Sequence, residues 1–344
     1  MAEIHKRKDQ HLDIALTQNV GMGRGNGFDA FELVHQALPE LSLSDVILST
    51  QFLGHNLAAP IMVASMTGGT ERGTRINRHL GEAVHELGLA MSVGSQRVLL
   101  EHPDLRESFG QVRDAVHGQP LFGNMGAVQL NYGVGLGELQ GVAEAIGADG
   151  IFLHCNPLQE AIQPEGNTNF SGLLDKIGMV ARDLRVPLLI KEVGCGIAPD
   201  LAQALAERQV RAIDVSGAGG TSWAQIEGLR SSDPHRQRLA QVFSNWGIST
   251  ADSLRLCHER VPHLPLIASG GIRNGIDAAK ALALGADLVA LAHPLLEPAS
   301  HSTQAVIETL TQFIDELRVA MFLVGAARPG DLKNPARISG ARYG

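Results

Sequence analysis

Pro265-Leu266-Ile267-Ala268-Ser269-Gly270-Gly271-Ile272-Arg273 is the stretch that decides the fold: a short apolar run, then a glycine pair, then an arginine. Paired glycines let backbone amides come close to a bound phosphate, and the guanidinium adds charge-assisted hydrogen bonds. A tight turn with a surface arginine reads much the same in isolation, so the rest of the chain has to decide between them. The phosphate itself can belong to a cofactor or to a substrate.

Working outward, the same grammar recurs. Apolar runs stand at Pro60–Ala64, Leu89–Val93, Pro120–Gly123, Gly150–His154, Pro187–Lys191, Ala212–Val215, Pro265–Ala268 and Leu288–Leu291. Runs with so little polar alternation suit strands buried on both faces of a parallel sheet. Helical patterns follow several of them: Asn77–Leu87, Leu136–Ile146, Pro199–Glu207 and Gly275–Leu284. Eight strands alternating with helices predict a (β/α)8 barrel, an α/β fold, with the doubly wound sheet as the alternative. Chain length agrees, since 344 residues hold one such barrel of about 250 residues with insertions. Residues 1–49 are then an N-terminal extension of a single domain spanning 1–344, with Gly21-Met22-Gly23-Arg24-Gly25-Asn26-Gly27 as a flexible loop. Ser222 to Leu264 is a long connection between the sixth and seventh strands, expected to be a lid or binding loop.

Composition narrows the class. A formal net charge of −8 argues against a nucleic-acid surface. Cys155, Cys195 and Cys257 are widely spaced and form no ligand or disulfide pattern, which fits a reducing cytoplasm. Charge near Met1 has no apolar run behind it, so no secretion signal is read, and no segment reaches the roughly 18 apolar residues of a membrane span.

In a barrel of this kind the chemistry sits at the C-terminal strand ends. The unusual polar residues fall there: Ser65-Met66-Thr67-Gly68-Gly69, Gly94-Ser95-Gln96-Arg97, Asn124, His154-Cys155-Asn156, Lys191-Glu192-Val193-Gly194, Ser216, Gly219-Gly220-Thr221 and Ala292-His293-Pro294. A buried lysine is costly unless paired, so Lys191 is a Schiff-base lysine, a neighbour of a polarised ring, or half of an ion pair with Glu192. Arg7-Lys8-Asp9-Gln10-His11 reads as a solvated tail by composition, yet with Arg97 it can hold a second, strongly anionic group such as a diphosphate. His154 to Glu160 offers an imidazole, two amides and a carboxylate. Glu160 suits Mg²⁺ on a diphosphate, or merely favours a helix N-terminus. Glu227 is a candidate acid/base or metal group, and Trp223 and Trp246 are candidate pocket walls. Cys195 has no base beside it in sequence and reads poorly as a nucleophile.

These motifs together resemble the FMN-dependent type 2 isopentenyl diphosphate isomerases, over most of the chain from Arg7-Lys8-Asp9-Gln10-His11 to Ala292-His293-Pro294. The glycine and lysine motifs occur in other FMN barrels; the N-terminal cationic motif and Asn156-Pro157-Leu158-Gln159-Glu160 are far more specific. The resemblance implies FMN at Ser65, Met66, Thr67, Ser95, Asn124, Lys191, Ser216, Thr221, Gly271, Ile272, Arg273, Ala292 and His293. It implies substrate diphosphate at Arg7, Lys8, Ser95, Gln96 and Arg97 with His11 assisting, Gln159 near the reacting carbons, and Mg²⁺ at Glu160; the candidate catalytic residues are Gln159, His154, Asn156 and Glu227. The implied reaction interconverts isopentenyl and dimethylallyl diphosphates, with NADPH as a reductant of the flavin and a homotetramer or homo-octamer as the assembly. An unactivated alkene is a poor base for ordinary side-chain acids, so the reduced flavin is the implied acid/base, with Lys191 favouring its anionic form. Two rivals share the barrel. A 2-hydroxy-acid oxidase needs a strand-end His-Gly-x-Arg, which is not evident here, and a phosphosugar aldolase would use Lys191 covalently.

Overall fold

The computed structural model describes residues 2–102 and 105–340. Eight parallel strands close into a barrel: Ile61–Val63, Ala90–Ser92, Leu121–Gly126, Gly150–Cys155, Leu188–Glu192, Ala212–Asp214, Leu266–Ala268 and Leu288–Leu291. The eighth pairs back onto the first, Val289 opposite Ile61 and Leu291 opposite Val63, so the sheet has no free edge.

Alternate residues of each strand point into the barrel. Met62, Ala90, Phe122, Phe152, Leu189, Ala212, Ile267 and Leu288 therefore pack together inside it, apart from the larger core between strands and helices. A hairpin, Thr50–Phe52 with His55–Leu57, plugs the end at which the strands begin. Phe52 meets Phe122 edge-on at 6.2 Å, and Phe122 meets Phe152 in the same way at 5.7 Å. Filling that end with aromatic rings leaves only the opposite mouth open to a ligand.

Local chemistry sets the boundaries. The helix after the first strand runs Glu71–Leu87 because Thr70 caps it, accepting from Gly73 N at 3.1 Å, and it stops at Gly88 in the left-handed conformation. The long connection between the sixth and seventh strands is not an open loop. It holds the helices Trp223–Arg230, Pro234–Val242 and Thr250–Arg260.

Two further expectations change. The N-terminal cationic segment lies within a helix, Ala2–Thr17, that packs against helix Trp223–Arg230 over the barrel mouth, so it is no solvated tail. The glycine-rich segment after it is stitched to the barrel as well: Met22 N donates to Gly220 O, Asn26 Nδ2 to Gly271 O, and Ser222 N to Val20 O. A short antiparallel pair, Phe31–Leu33 with Ile338–Gly340, joins the extension to the last described residues. No helix among the described residues is long and apolar enough to cross a membrane.

Candidate active site

A cavity of about 480 Å³ opens at the C-terminal mouth of the barrel, within the usual range for small-molecule sites. Loops after all eight strands line it, and the N-terminal helix closes one side with Arg7, Lys8, His11 and Leu12. The lysines and arginines of the cavity are Arg273 beside the glycine pair, Lys191 on the fifth strand, and Arg7, Lys8 and Arg97 about the N-terminal helix.

The first place is the glycine cradle. The loops after the sixth and seventh strands lie so close that a Cβ on Gly271 would stand 2.3 Å from Gly219 O, and one on Gly270 would stand 2.2 Å from Gly217 O. Both glycines also have positive φ, 102° and 76° in chain order, a region costly for other residues. Gly271 N and Ile272 N find no acceptor among the described residues. Arg273 Nη2 donates to Gly219 O at 3.1 Å, which fixes the guanidinium at the rim. Backbone donors without partners beside an arginine form an anion cradle. Ser216, Thr221, Ala292 and His293 line the same region.

Ser65, Met66, Thr67, Asn124 and Lys191 make the neighbouring wall. Lys191 is buried and donates to Glu192 O at 2.5 Å; it makes no ion pair with the Glu192 carboxylate. That carboxylate is instead held by the N–H groups of Val193, Gly194 and Cys195. Burial pushes Glu192 up to about 7, against the pull of those donors and of Lys191. His154 Nδ1 lies 2.7 Å from Asn124 Oδ1, which puts its proton on Nδ1. Burial, with Lys191 nearby, lowers His154 to about 3, so the ring is neutral and fits a hydrogen-bonding role better than that of an acid. Burial pushes the Cys155 and Cys195 thiols up to about 12, far from the thiolate a nucleophile needs.

The second cationic place faces the N-terminal helix. Lys8 Nζ donates to Gly68 O and to Ser95 O, the latter at 3.0 Å. Burial of the ammonium, helped by Arg7, lowers Lys8 to about 7. Arg7 stands 3.5 Å from Glu165, and Arg97 Nη1 donates to Asn167 Oδ1 at 3.2 Å. Gln96 does not belong with them. It is fully buried with Nε2 on Val142 O and Oε1 accepting from Asn124 N, and it does not line the cavity. Adjacent residues at a strand end face opposite ways, so Ser95 turns inward and Gln96 outward.

Between the two places lies a chain of amides. Asn156 Nδ2 donates to Gln159 Oε1 at 3.0 Å and to Glu160 Oε1 at 3.1 Å; Gln159 Nε2 donates to Glu227 Oε1 at 2.8 Å. Glu160 Oε2 also accepts from Gln163 Nε2 and from Asn167 N. Asn156 Oδ1 is buried without a partner. Glu227 is wholly enclosed and outside the cavity lining, with Arg230 Nε at 2.9 Å and His11 Nε2 at 3.1 Å, the latter off the angle of a hydrogen bond. Enclosed and hydrogen-bonded in this way, the Glu227 carboxylate touches Gln159 and not the cavity, which does not fit the expectation of an acid/base in contact with substrate. His11 packs edge-on to Trp223 at 5.3 Å, and Trp223 does wall the cavity. Trp246 does not; it is exposed, with Phe243 beside it.

The family model for FMN-dependent dehydrogenases matches residues 158–338. An isopentenyl-diphosphate delta-isomerase of Oceanobacillus iheyensis is 44% identical over 98% of this chain and 96% of its own. Those of Synechococcus sp. and Vibrio parahaemolyticus are each 46% identical, over 97% and 98% of this chain and 96% and 100% of theirs. The chain belongs to the isopentenyl-diphosphate delta-isomerase family. It is accordingly an isomerase on an FMN-dependent barrel, moving a carbon–carbon double bond within isopentenyl diphosphate. Among solved structures, flavocytochrome b2 is similar with a TM-score of 0.69 at 18% identity, over 96% of this chain and 82% of that one. A mandelate oxidase is similar at 0.66 and 17%, over 99% and 97%. Those two share the fold of this isomerase.

Proposed function

We propose that FMN occupies the glycine cradle and the wall of Ser65, Thr67, Asn124 and Lys191, and that the diphosphate of isopentenyl diphosphate lies at Arg7, Lys8, His11, Ser95 and Arg97. The observation that supports this most directly is that one cavity carries two cationic places, Arg273 beside the glycine pair and Arg7, Lys8 and Arg97 beside the N-terminal helix. A molecule with one phosphate and another with two need such an arrangement. The unpartnered N–H groups and the space a Cβ would fill suit the FMN phosphate. Glu160, a buried carboxylate with no other acidic or imidazole cluster near it among the described residues, suits Mg²⁺ carried mainly by the diphosphate itself.

Reduced FMN, when bound, supplies the proton donor and acceptor that an alkene carbon requires. The chain supplies the setting. Arg7, Lys8 and Arg97 anchor the diphosphate, so the hydrocarbon end is directed into the barrel. Lys191, at the end of the fifth strand, favours an anionic partner beside it. Gln159 presents its amide beside the reacting carbons, and His154, neutral and tied to Asn124, adds no competing acid. Trp223 and the N-terminal helix exclude water. NADPH serves as the flavin reductant, the chain assembles as a homotetramer or homo-octamer in the cytoplasm, and all of residues 1–344 act as one domain.

Replacing FMN by its 5-deaza analogue tests the reading. Loss of turnover with intact binding of the analogue is expected. Full activity with the analogue would overturn the flavin as acid/base, and absence of flavin absorbance bands after adding FMN would overturn the cofactor itself.

A further inference from the structure

We infer that Asn167 is a positioning residue that presets Arg97 and Glu160 for one Mg²⁺-diphosphate ligand; the inference rests on the reading of that site given above. Asn167 lies in the connection after helix Pro157–Ile162 and is absent from the cavity lining. Its backbone N–H donates to Glu160 Oε2 at 2.5 Å. Its side-chain Oδ1 accepts from Arg97 Nη1 at 3.2 Å and from Gln129 Nε2 at 3.1 Å. Arg97, Gln129 and Glu160 come from the loops after the second, third and fourth strands, and all three line the cavity. One residue, through its side-chain oxygen and its backbone N–H, therefore bridges the loops after three strands.

The segment is built to hold that position. A Cβ on Gly166 would stand 1.8 Å from Glu160 O, so the chain folds directly back onto the helix it has just left. Gly166 N donates to Gln163 O, and Gln163 Nε2 donates to Glu160 Oε2 at 2.7 Å. The carboxylate thus has its plane fixed from two sides by neutral donors.

The chemistry of an asparagine suits the task. Its oxygen occupies one of the five guanidinium N–H donors and leaves the others for phosphate oxygens. It brings no formal charge that would compete with the diphosphate for Arg97. A long side chain restrained beforehand loses less freedom when the anion arrives, so the gain appears as affinity. Removing a group that orients a metal or anion ligand typically costs about 10- to 100-fold in binding.

The test uses the FMN-loaded protein titrated with inorganic pyrophosphate, with and without Mg²⁺, by calorimetry. Asn167→Ala is expected to weaken Mg²⁺-pyrophosphate binding about tenfold and to raise KM for isopentenyl diphosphate similarly, with kcat and the flavin spectrum unchanged. Asn167→Ser, too short to reach Arg97 but able to keep the turn, should behave as the alanine variant does. Asn167→Asp keeps the acceptor and the backbone N–H but adds a charge that competes with the diphosphate for Arg97, so it should bind Mg²⁺-pyrophosphate at least as weakly as the alanine variant. If Asn167 acts through Arg97, Asn167→Ala adds little to Arg97→Ala. Wild-type affinity in both shortened variants, fully additive losses, or a fall in kcat at unchanged KM would overturn the role. Wild-type affinity in Arg97→Ala would instead overturn the diphosphate site on which it rests.

Discussion

Gln159 Nε2 donates to Glu227 Oε1 across 2.8 Å, joining the loop after the fourth strand to the helix after the sixth. An ionised carboxylate only accepts, so this contact dictates which end of the Gln159 amide faces the cavity. Burial alone would raise Glu227; His11, Gln159 and Arg230 together lower it to about 2. Glu227→Gln removes the obligate acceptor and frees the Gln159 amide to turn over. A fall in kcat on the order of 10²-fold with little change in KM is expected from steady-state kinetics. The same carboxylate sets an acid limit. Its folded value lies below the ordinary 4.5, so its stabilisation is complete above about pH 4.5 and is lost as pH falls toward 2. Urea unfolding from pH 6 down to 3 should show that loss in the wild type and a flatter profile in Glu227→Gln.

Lys8 gives the opposite sign. Its folded value, about 7, lies below the ordinary 10.5, so between those values the unfolded chain binds the extra proton. Lys8 therefore costs stability at low pH, and the cost fades as pH rises toward 10.5. A bound diphosphate needs the charged form. Pyrophosphate binding should take up a proton above pH 7, and its Kd should rise about tenfold per pH unit well above that point. Lys8→Met should bind more weakly near neutral pH and lose most of this pH dependence, as read by calorimetry in buffers of different ionisation heat.

Gly271→Ala places a methyl group 2.3 Å from Gly219 O at a positive φ of 76°. Backbone strain of this kind costs about 1–3 kcal/mol. The loops must part to admit it, so the protein should purify with little flavin and melt earlier, measured by absorbance and by calorimetric scanning.

Gln96→Ala separates two roles. A diphosphate ligand would raise KM on removal. The enclosed Gln96 instead satisfies Val142 O and Asn124 N, so its loss should cost about 1–3 kcal/mol in urea unfolding, with KM little altered.

Much of the fold was legible because buried parallel strands are almost uninterrupted apolar runs, and each of the eight lies where its run stands. The third, fourth and fifth continue farther, to Gly126, Cys155 and Glu192, since those ends still pair with neighbours. The helices between Ser222 and Leu264 were not legible: Pro234–Val242 is mostly polar and carries little apolar periodicity. Strand ends pointed to the site, but alternation at each end decides which neighbour faces in, as Ser95 and Gln96 show. The charge of Glu227 and its partner Arg230, three residues on in the same helix, stand in the sequence, while its enclosure depends on His11 arriving from the N-terminal helix and Gln159 from the one after the fourth strand. Asn167 belongs to no recognisable motif. Its only signal was the Gly166-Asn167 turn just downstream of Glu160.

The helix Ala2–Thr17 stands outside the barrel yet brings Arg7, Lys8 and His11 to its mouth. Colour and competence are consequently separable properties of this protein. A preparation clipped ahead of Leu12 would keep every barrel residue assigned to FMN and emerge yellow, while having lost Arg7, Lys8 and His11 and keeping only Ser95 and Arg97 for the diphosphate of its substrate. Flavin content alone is thus a poor measure of how many molecules in a sample can turn over.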